Sequence, residues 1–153
     1  MMVTSPTVDT PEETIENDGF FPNIELAPFR EANRIDGTIT TLRLRHCIVN
    51  QVINVNRQLA VLKAEQIVAG VEKLADIDAP KIDGSNTYVH HYLRAVGCLV
   101  KAEVIETYRD FDTTTAGRET ADQLTPNIED LRRNAYWAIS DLLNSPHSNV
   151  ELI

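Results

Sequence analysis

Few side chains in this sequence have both the type and the spacing to do chemistry. His90 and His91 are neighbours, and neighbours on a helix point about 100° apart, so they do not easily share a metal ion. One turn further on, Arg94 and Ala95 supply no second ligand, and the pair reads as half-buried or exposed residues on a helix surface. Glu103 and Glu106 stand three apart on one face, but they lack the Glu-x-x-His partner of a di-metal helical bundle. There is no glycine-rich phosphate loop, no GxSxG, no HExxH and no Cys/His pair at ligand spacing. Cys47 and Cys98 sit inside apolar patterns and read as reduced core thiols of a cytosolic protein. The expectation is a protein without catalytic residues, cofactor or metal.

The remaining charged and aromatic candidates look structural. Arg132 and Arg133 lie beside Glu129 and Asp130, as intrahelical pairs or a network on a bundle surface, where an exposed pair contributes only tenths of a kcal/mol. Arg109 follows Tyr108 at a helix C-terminus, where a cation suits the dipole. Trp137, next to Tyr136, reads as core more readily than as contact, although tryptophan is enriched at interface hot spots.

Composition narrows the function classes. The 153 residues carry 42% apolar and 24% charged side chains, enough for a real core without disulfides or metal. Net charge is −9, from 14 basic against 23 acidic residues, which argues against general nucleic-acid binding and against an anionic membrane surface. No apolar run approaches the roughly 18–20 residues of a membrane span. The N-terminus has neither the basic nor the apolar region of a signal peptide.

The elements that must position these residues read as helices. Residues 1–19 hold five acids and no base and are expected to form a disordered acidic arm, because they cannot bury enough apolar surface to offset their ordering entropy. Phe20 and Phe21 follow at once, either closing one end of the core or contacting a partner. Pro28 fits the first turn of a short helix ended by Asp36-Gly37. Thr38 or Thr40 caps a long helix to about Ala69, with Ile39, Leu42, Cys47, Ile48, Val52, Val55, Leu59, Leu62 and Ile67 on one face; Val71 and Leu74 leave room for one more turn. ADIDAPKIDGSN reads as a loop. Ser85 or Asn86 caps a third helix to about Asp110, with Val89, Leu93, Val96, Leu99 or Val100, and Val104 inward. After the polar stretch DTTTAGRETAD, Thr125-Pro126 has the form of a cap and first position for a helix to about Asn144, striped by Ile128, Leu131, Ala135, Ala138 or Ile139, and Leu142; a start near Thr115 with Pro126 as a kink is the alternative. No strand alternation stands out. The predicted fold is all-α, an antiparallel bundle with two to three long helices over residues 20–145, an acidic arm at 1–19 and an extended tail at 146–153.

Several segments together resemble one family: the head completion (head stabilisation, GPL) proteins of contractile-tailed temperate phages of the Peduovirus type. They are Phe20-Phe21-Pro22-Asn23-Ile24, Leu42-Arg43-Leu44-Arg45, Ala69-Gly70 with Leu74-Ala75-Asp76, Ile82-Asp83-Gly84-Ser85, Tyr92-Leu93-Arg94-Ala95-Val96, Glu106-Thr107-Tyr108-Arg109, Ala121-Asp122, Ile128-Glu129-Asp130-Leu131 and Tyr136-Trp137-Ala138-Ile139. No single motif is specific; their order and spacing over roughly residues 20–153 carry the resemblance. The arm departs from the family, and Pro126 sits where relatives continue a helix.

The resemblance implies a non-enzymatic virion protein, assembled in the host cytoplasm, that docks on the portal protein of the DNA-filled head and presents a surface to neck and tail proteins. The related connectors form rings, usually of twelve subunits, with the C-terminal segment buried against the portal. It thereby makes Phe20, Phe21, Val150, Leu152 and Ile153 candidate partner contacts, and Arg132, Arg133 and Trp137 candidate contacts between subunits. An acidic lumen would let genome DNA pass without sticking. The alternative is an acidic helical adaptor, or a DNA mimic that binds a host protein. Mimicry fits poorly, because five of the acids lie in the first 19 residues and the rest are interleaved with basic ones.

Overall fold

The computed structural model describes residues 13–108 and 127–144. In chain order it places β1 (Thr14–Ile15), β2 (Ile24–Glu25), α1 (Leu26–Ala32), α2 (Thr41–Gln58), α3 (Ala60–Val68), a 3-10 turn (Leu74–Asp76), β3 (Lys81–Ile82), β4 (Ser85–Asn86), α4 (Thr87–Tyr108) and α5 (Ile128–Leu142). The chain is mostly helical, but it is not free of strands. β1 pairs antiparallel with β2 and β3 with β4, each over two residues. α4 is the central element: it packs on α2 and more extensively on α5, while α2 and α5 scarcely meet.

Each helix end has a local cause. Thr40 accepts a hydrogen bond from the Arg43 N–H and so starts α2. The predicted long helix to Ala69 is divided at Leu59, whose φ of −101° and ψ of 11° leave the helical region. The inner stripe continues across the break through fully buried Leu59 and through Leu62, so both pieces share one core face. α3 stops because Gly70 takes a φ of +87°, with its N–H on the Ile67 carbonyl and the Val71 N–H on the Gln66 carbonyl. This is the Schellman pattern, and it rules out the extra turn through Val71 and Leu74. α5 begins at Ile128, capped by Asn127 on the Glu129 N–H, rather than at the expected Thr125-Pro126. Glu129 and Asp130 do occupy its first turn.

The segment expected to be loop is more structured than its composition implies. Asp83 and Gly84 both have positive φ (51° and 79°) and close a tight hairpin between β3 and β4. Behind it Asn86, 1% exposed, donates to the Leu74 and Ile77 carbonyls and accepts from the Val89 N–H. One side chain thus caps α4 and holds the 3-10 turn against it. Gly97 makes room for the Asn33 side chain, whose Oδ1 a Cβ there would meet.

The N-terminal boundary also moves. Residues 1–12 lie outside the described residues, but 13–19 do not form a free arm. Ile15 is buried, Glu13 pairs with Arg45 of α2 at 2.8 Å, and Asp18 pairs with Lys63 of α3 at 2.8 Å. The Asp18 carboxylate also accepts from the Phe20 and Phe21 N–H groups, 3.0 Å each. Asn17, Asn56 and Tyr92 close a ring of hydrogen bonds. Tyr92 Oη donates to Asn56 Oδ1 (2.7 Å) and accepts from Asn17 Nδ2 (2.8 Å), and Asn56 Nδ2 donates to Asn17 Oδ1 (2.9 Å). Phe21 stacks on Tyr92 with ring centroids 5.0 Å apart. Among the described residues, no buried side-chain nitrogen or oxygen lacks a partner. The expected tail at 146–153 and the polar stretch at 112–122 lie outside the described residues.

Two predictions follow from these contacts. Tyr92→Phe keeps the stack but strands Asn56 Oδ1, and should cost about 1–3 kcal/mol, on the order of 5–10 °C in thermal unfolding followed by circular dichroism. Burial raises the pKa of Asp18, but Lys63 and the two N–H groups outweigh it and hold the carboxyl below its ordinary 3.8. A depressed native pKa stabilises the fold above the unfolded value, and this stability is lost as pH falls through the native one. Asp18→Asn should therefore be less stable than the parent at pH 7, with the gap closing below about pH 4 in denaturant titrations.

Candidate interaction surfaces

The titratable residues singled out above disperse over the molecule. His90 Nε2 lies 2.6 Å from the Ile82 carbonyl and ties α4 to the hairpin, whereas His91 Nδ1 lies 3.9 Å from Asp141 on α5. The two rings serve different neighbours, as their angular separation requires. His91 and Asp141 line an open cleft with Asp78, Thr87, Tyr88 and Asn144. Glu103 faces α2, accepting from Gln51 Nε2 at 3.2 Å and Asn50 Nδ2 at 3.4 Å, while Glu106 faces α5 and pairs with Arg132. The carboxylates are thus split between two helix contacts. Among the described residues, no three His, Cys, Asp or Glu side chains gather closely enough to hold a metal ion.

Several candidate contact residues turn inward or find partners within the chain. Phe20 and Phe21 are 4% and 3% exposed, so their rings close the core beside Tyr92, and the partner-contact reading for them is corrected. Arg132 pairs with Glu106 of α4, and Arg133 pairs with Asp130 at 3.1 Å. The Arg133 guanidinium also lies 4.9 Å from the centre of the Trp137 ring, a cation–π contact over a half-buried indole. Both arginines therefore have partners on their own subunit. Arg109 and the apolar tail positions Val150, Leu152 and Ile153 lie outside the described residues.

The least expected surface is the outer side of α2 and α3. Leu42 and Ile67, expected inside, are exposed, as is Leu93 on α4, also expected inside; Leu42 is 76% so. Leu42, Val49 and Ile53 follow i, i+7, i+11 on α2, on the side away from the buried Leu44, Ile48, Val52 and Val55. On α3, Val61 (67% exposed) and Val68 (89%) continue an apolar outer side. α2 also carries Arg43, Arg45, His46 and Arg57 and no acid, in a chain of net charge −9. The outer side of α5 presents half-exposed Tyr136 and Leu143 behind the acidic first turn of Glu129 and Asp130.

The family model of the phage head completion proteins (GPL) matches residues 15–153. The chain belongs to this family. A head completion/stabilization protein of Escherichia phage P2 is 33% identical over 153 residues, covering 100% of this chain and 89% of that protein. No solved structure matches. The resemblance carried by the scattered motifs is therefore established, and with it a structural role in the phage head. The family match begins at Ile15, the first buried side chain among the described residues, so the family domain includes part of the stretch expected to be an arm.

In this chain the two thiols differ. Burial, followed by the charge of Glu103 and a hydrogen bond to it, pushes Cys47 up to about 11. Burial also raises Cys98, which is half-buried, and Arg94 only partly offsets the rise. Both are mostly protonated at neutral pH and correspondingly slow nucleophiles. Native labelling with a maleimide at pH 7 should leave Cys47 unmodified over hours and modify Cys98 slowly, and 6 M guanidinium should release both, as read by intact mass.

Proposed function

We propose that this protein completes the DNA-filled head by docking on the portal vertex as a ring, and that the ring offers the attachment surface for neck and tail proteins. The observation that carries the reading is the full-length relationship to a protein named for head completion and stabilization. In this reading the protein is a non-enzymatic virion component assembled in the host cytoplasm. The ring has twelve subunits, matching the portal, and genome DNA passes its lumen without specific contact. The negative net charge supports such a lumen, since it repels the phosphate backbone. Val150, Leu152 and Ile153 are the proposed portal anchors: apolar residues on a short segment gain most when a partner buries them.

Negative-stain electron microscopy with mass determination tests this, on the protein alone and mixed with the portal protein of the same genome. Symmetric added density on the portal at matching stoichiometry is expected. A monodisperse monomer that never binds portal at near-physiological salt would sink the reading. Deleting residues 146–153 should abolish binding while shifting the melting temperature by less than about 2 °C; a large fall would place the tail in the monomer core instead.

A further inference from the structure

We propose that the outer side of α2 and α3 is the surface on which a second copy of this chain docks, and that the copy presents the outer side of its α5. Three observations carry this. The first is exposure: Leu42, Val49 and Ile53 form one apolar stripe on α2, and Val61, Ile67 and Val68 add exposed apolar side chains on the helix that follows. Single exposed apolar residues are ordinary, but a series at helical spacing marks a contact surface. The second is charge. α2 carries three arginines and no carboxylate, of which Arg45 is paired with Glu13, whereas the first turn of α5 carries Glu129 and Asp130, the latter paired with Arg133. Arg57, beside the apolar stripe, and Glu129 have no ion-pair partner among the described residues. The third is placement. α2 and α5 both pack on α4 but scarcely meet, so their outer sides are separate patches facing different directions.

An interface between two different patches is heterologous, and repeating it adds subunits in one sense until the assembly closes. Tyr136 and Leu143 supply apolar area on the α5 side, with tyrosine the residue type most suited to a contact that is half apolar and half wet. This deepens the ring reading and rests on it for closure, although the contact itself needs only two copies. It also assigns the charged part of the contact to Arg57 and Glu129 rather than to Arg132 and Arg133, whose charges are matched within their own subunit.

Cysteine cross-linking of the full chain separates the possibilities. Ile53→Cys and Tyr136→Cys alter exposed positions only, so the fold should survive, and unchanged thermal unfolding checks it. A bis-maleimide is applied to each single variant, the double variant and the unsubstituted chain, free and mixed with portal protein. The expected result is a ladder beyond dimer from the double variant alone, lost on adding Arg57→Glu and recovered on adding Glu129→Arg as well. Portal density without cross-links above the unsubstituted chain would overturn this contact and leave the ring. A ladder without portal density would keep the contact and remove portal docking. Neither density nor ladder would overturn both. Dimers from Ile53→Cys alone would replace the head-to-tail contact with a two-fold pairing of α2.

Discussion

Asn17, Asn56 and Tyr92 meet where three separate parts of the chain converge: the strand-paired N-terminal segment, α2 and α4. Each hydrogen bond of the ring is worth about 1 kcal/mol net, but breaking one would leave a partly buried polar group unpaired, which costs more. The ring is therefore close to all-or-none. It fixes the height of α2 against α4 and brings Phe21 flat onto the tyrosine ring. Burial, only partly offset by the hydrogen bond from Asn17, raises the Tyr92 pKa far above its ordinary value and keeps the hydroxyl a donor throughout the physiological range. Asp18, one residue from Asn17, extends the same junction to Lys63 of α3. A segment with the composition of a tail becomes part of the domain because its polar side chains are spent on specific partners.

The second organising constraint is the crowding around α4. It must accept α2 and α5, and the Asn33 side chain at the end of α1, and its sequence varies accordingly. Tyr92, Val96 and Val100 are fully buried large residues, Ala95 and Ala102 are small buried ones, and Gly97 is required by the close passage of Asn33. A glycine inside a helix costs about 1 kcal/mol relative to alanine; here the space a Cβ would take is filled by the Asn33 side chain, which would have to move. The ionic contacts across α4 are the weaker part of the arrangement, since Arg132 and Glu106 are both more than half exposed and so largely screened. Apolar burial holds the helices together, and the charges mainly select their register.

What could be read from the sequence followed what is local. The helices α2, α4 and α5 announced themselves through apolar spacing, Thr40 through its side-chain oxygen, and Gly70 as a stop. The misplacement of Leu42 and Ile67 has a definite origin. α2 and α3 are apolar on two sides, and periodicity shows that a stripe exists without showing which stripe meets the core. The second series, Leu42, Val49 and Ile53, was visible in the same residues. Asp83-Gly84 is a strong hairpin signal, yet the strands it joins are two residues long and give no alternation to detect. The order of residues 13–19 was least legible, because it depends on Arg45, Asn56, Lys63 and Tyr92, all far away in sequence. Among the contact candidates, Phe20 and Phe21 fell to the core by the same logic: adjacent aromatics next to a junction are needed to seal it.

An exposed apolar face on a strongly acidic protein sets two forces against each other. Like charge keeps free copies apart at long range, over a Debye length of about 8 Å at physiological salt. Apolar burial acts only at contact and has no direction of its own. A face that were merely apolar would leave the copies either apart or aggregated. α2 avoids both outcomes by placing Arg57 beside the stripe, so that the only acid-free long helix among the described residues is attractive to acidic surfaces and indifferent to other copies of itself. The balance of signs then selects an orientation before the apolar side chains touch. In such a design specificity comes from the charges and cohesion from Leu42, Val49 and Ile53. Neither would suffice alone, because an exposed ion pair contributes at most about 1 kcal/mol, whereas a fully buried leucine or isoleucine contributes roughly 1.5–3 kcal/mol.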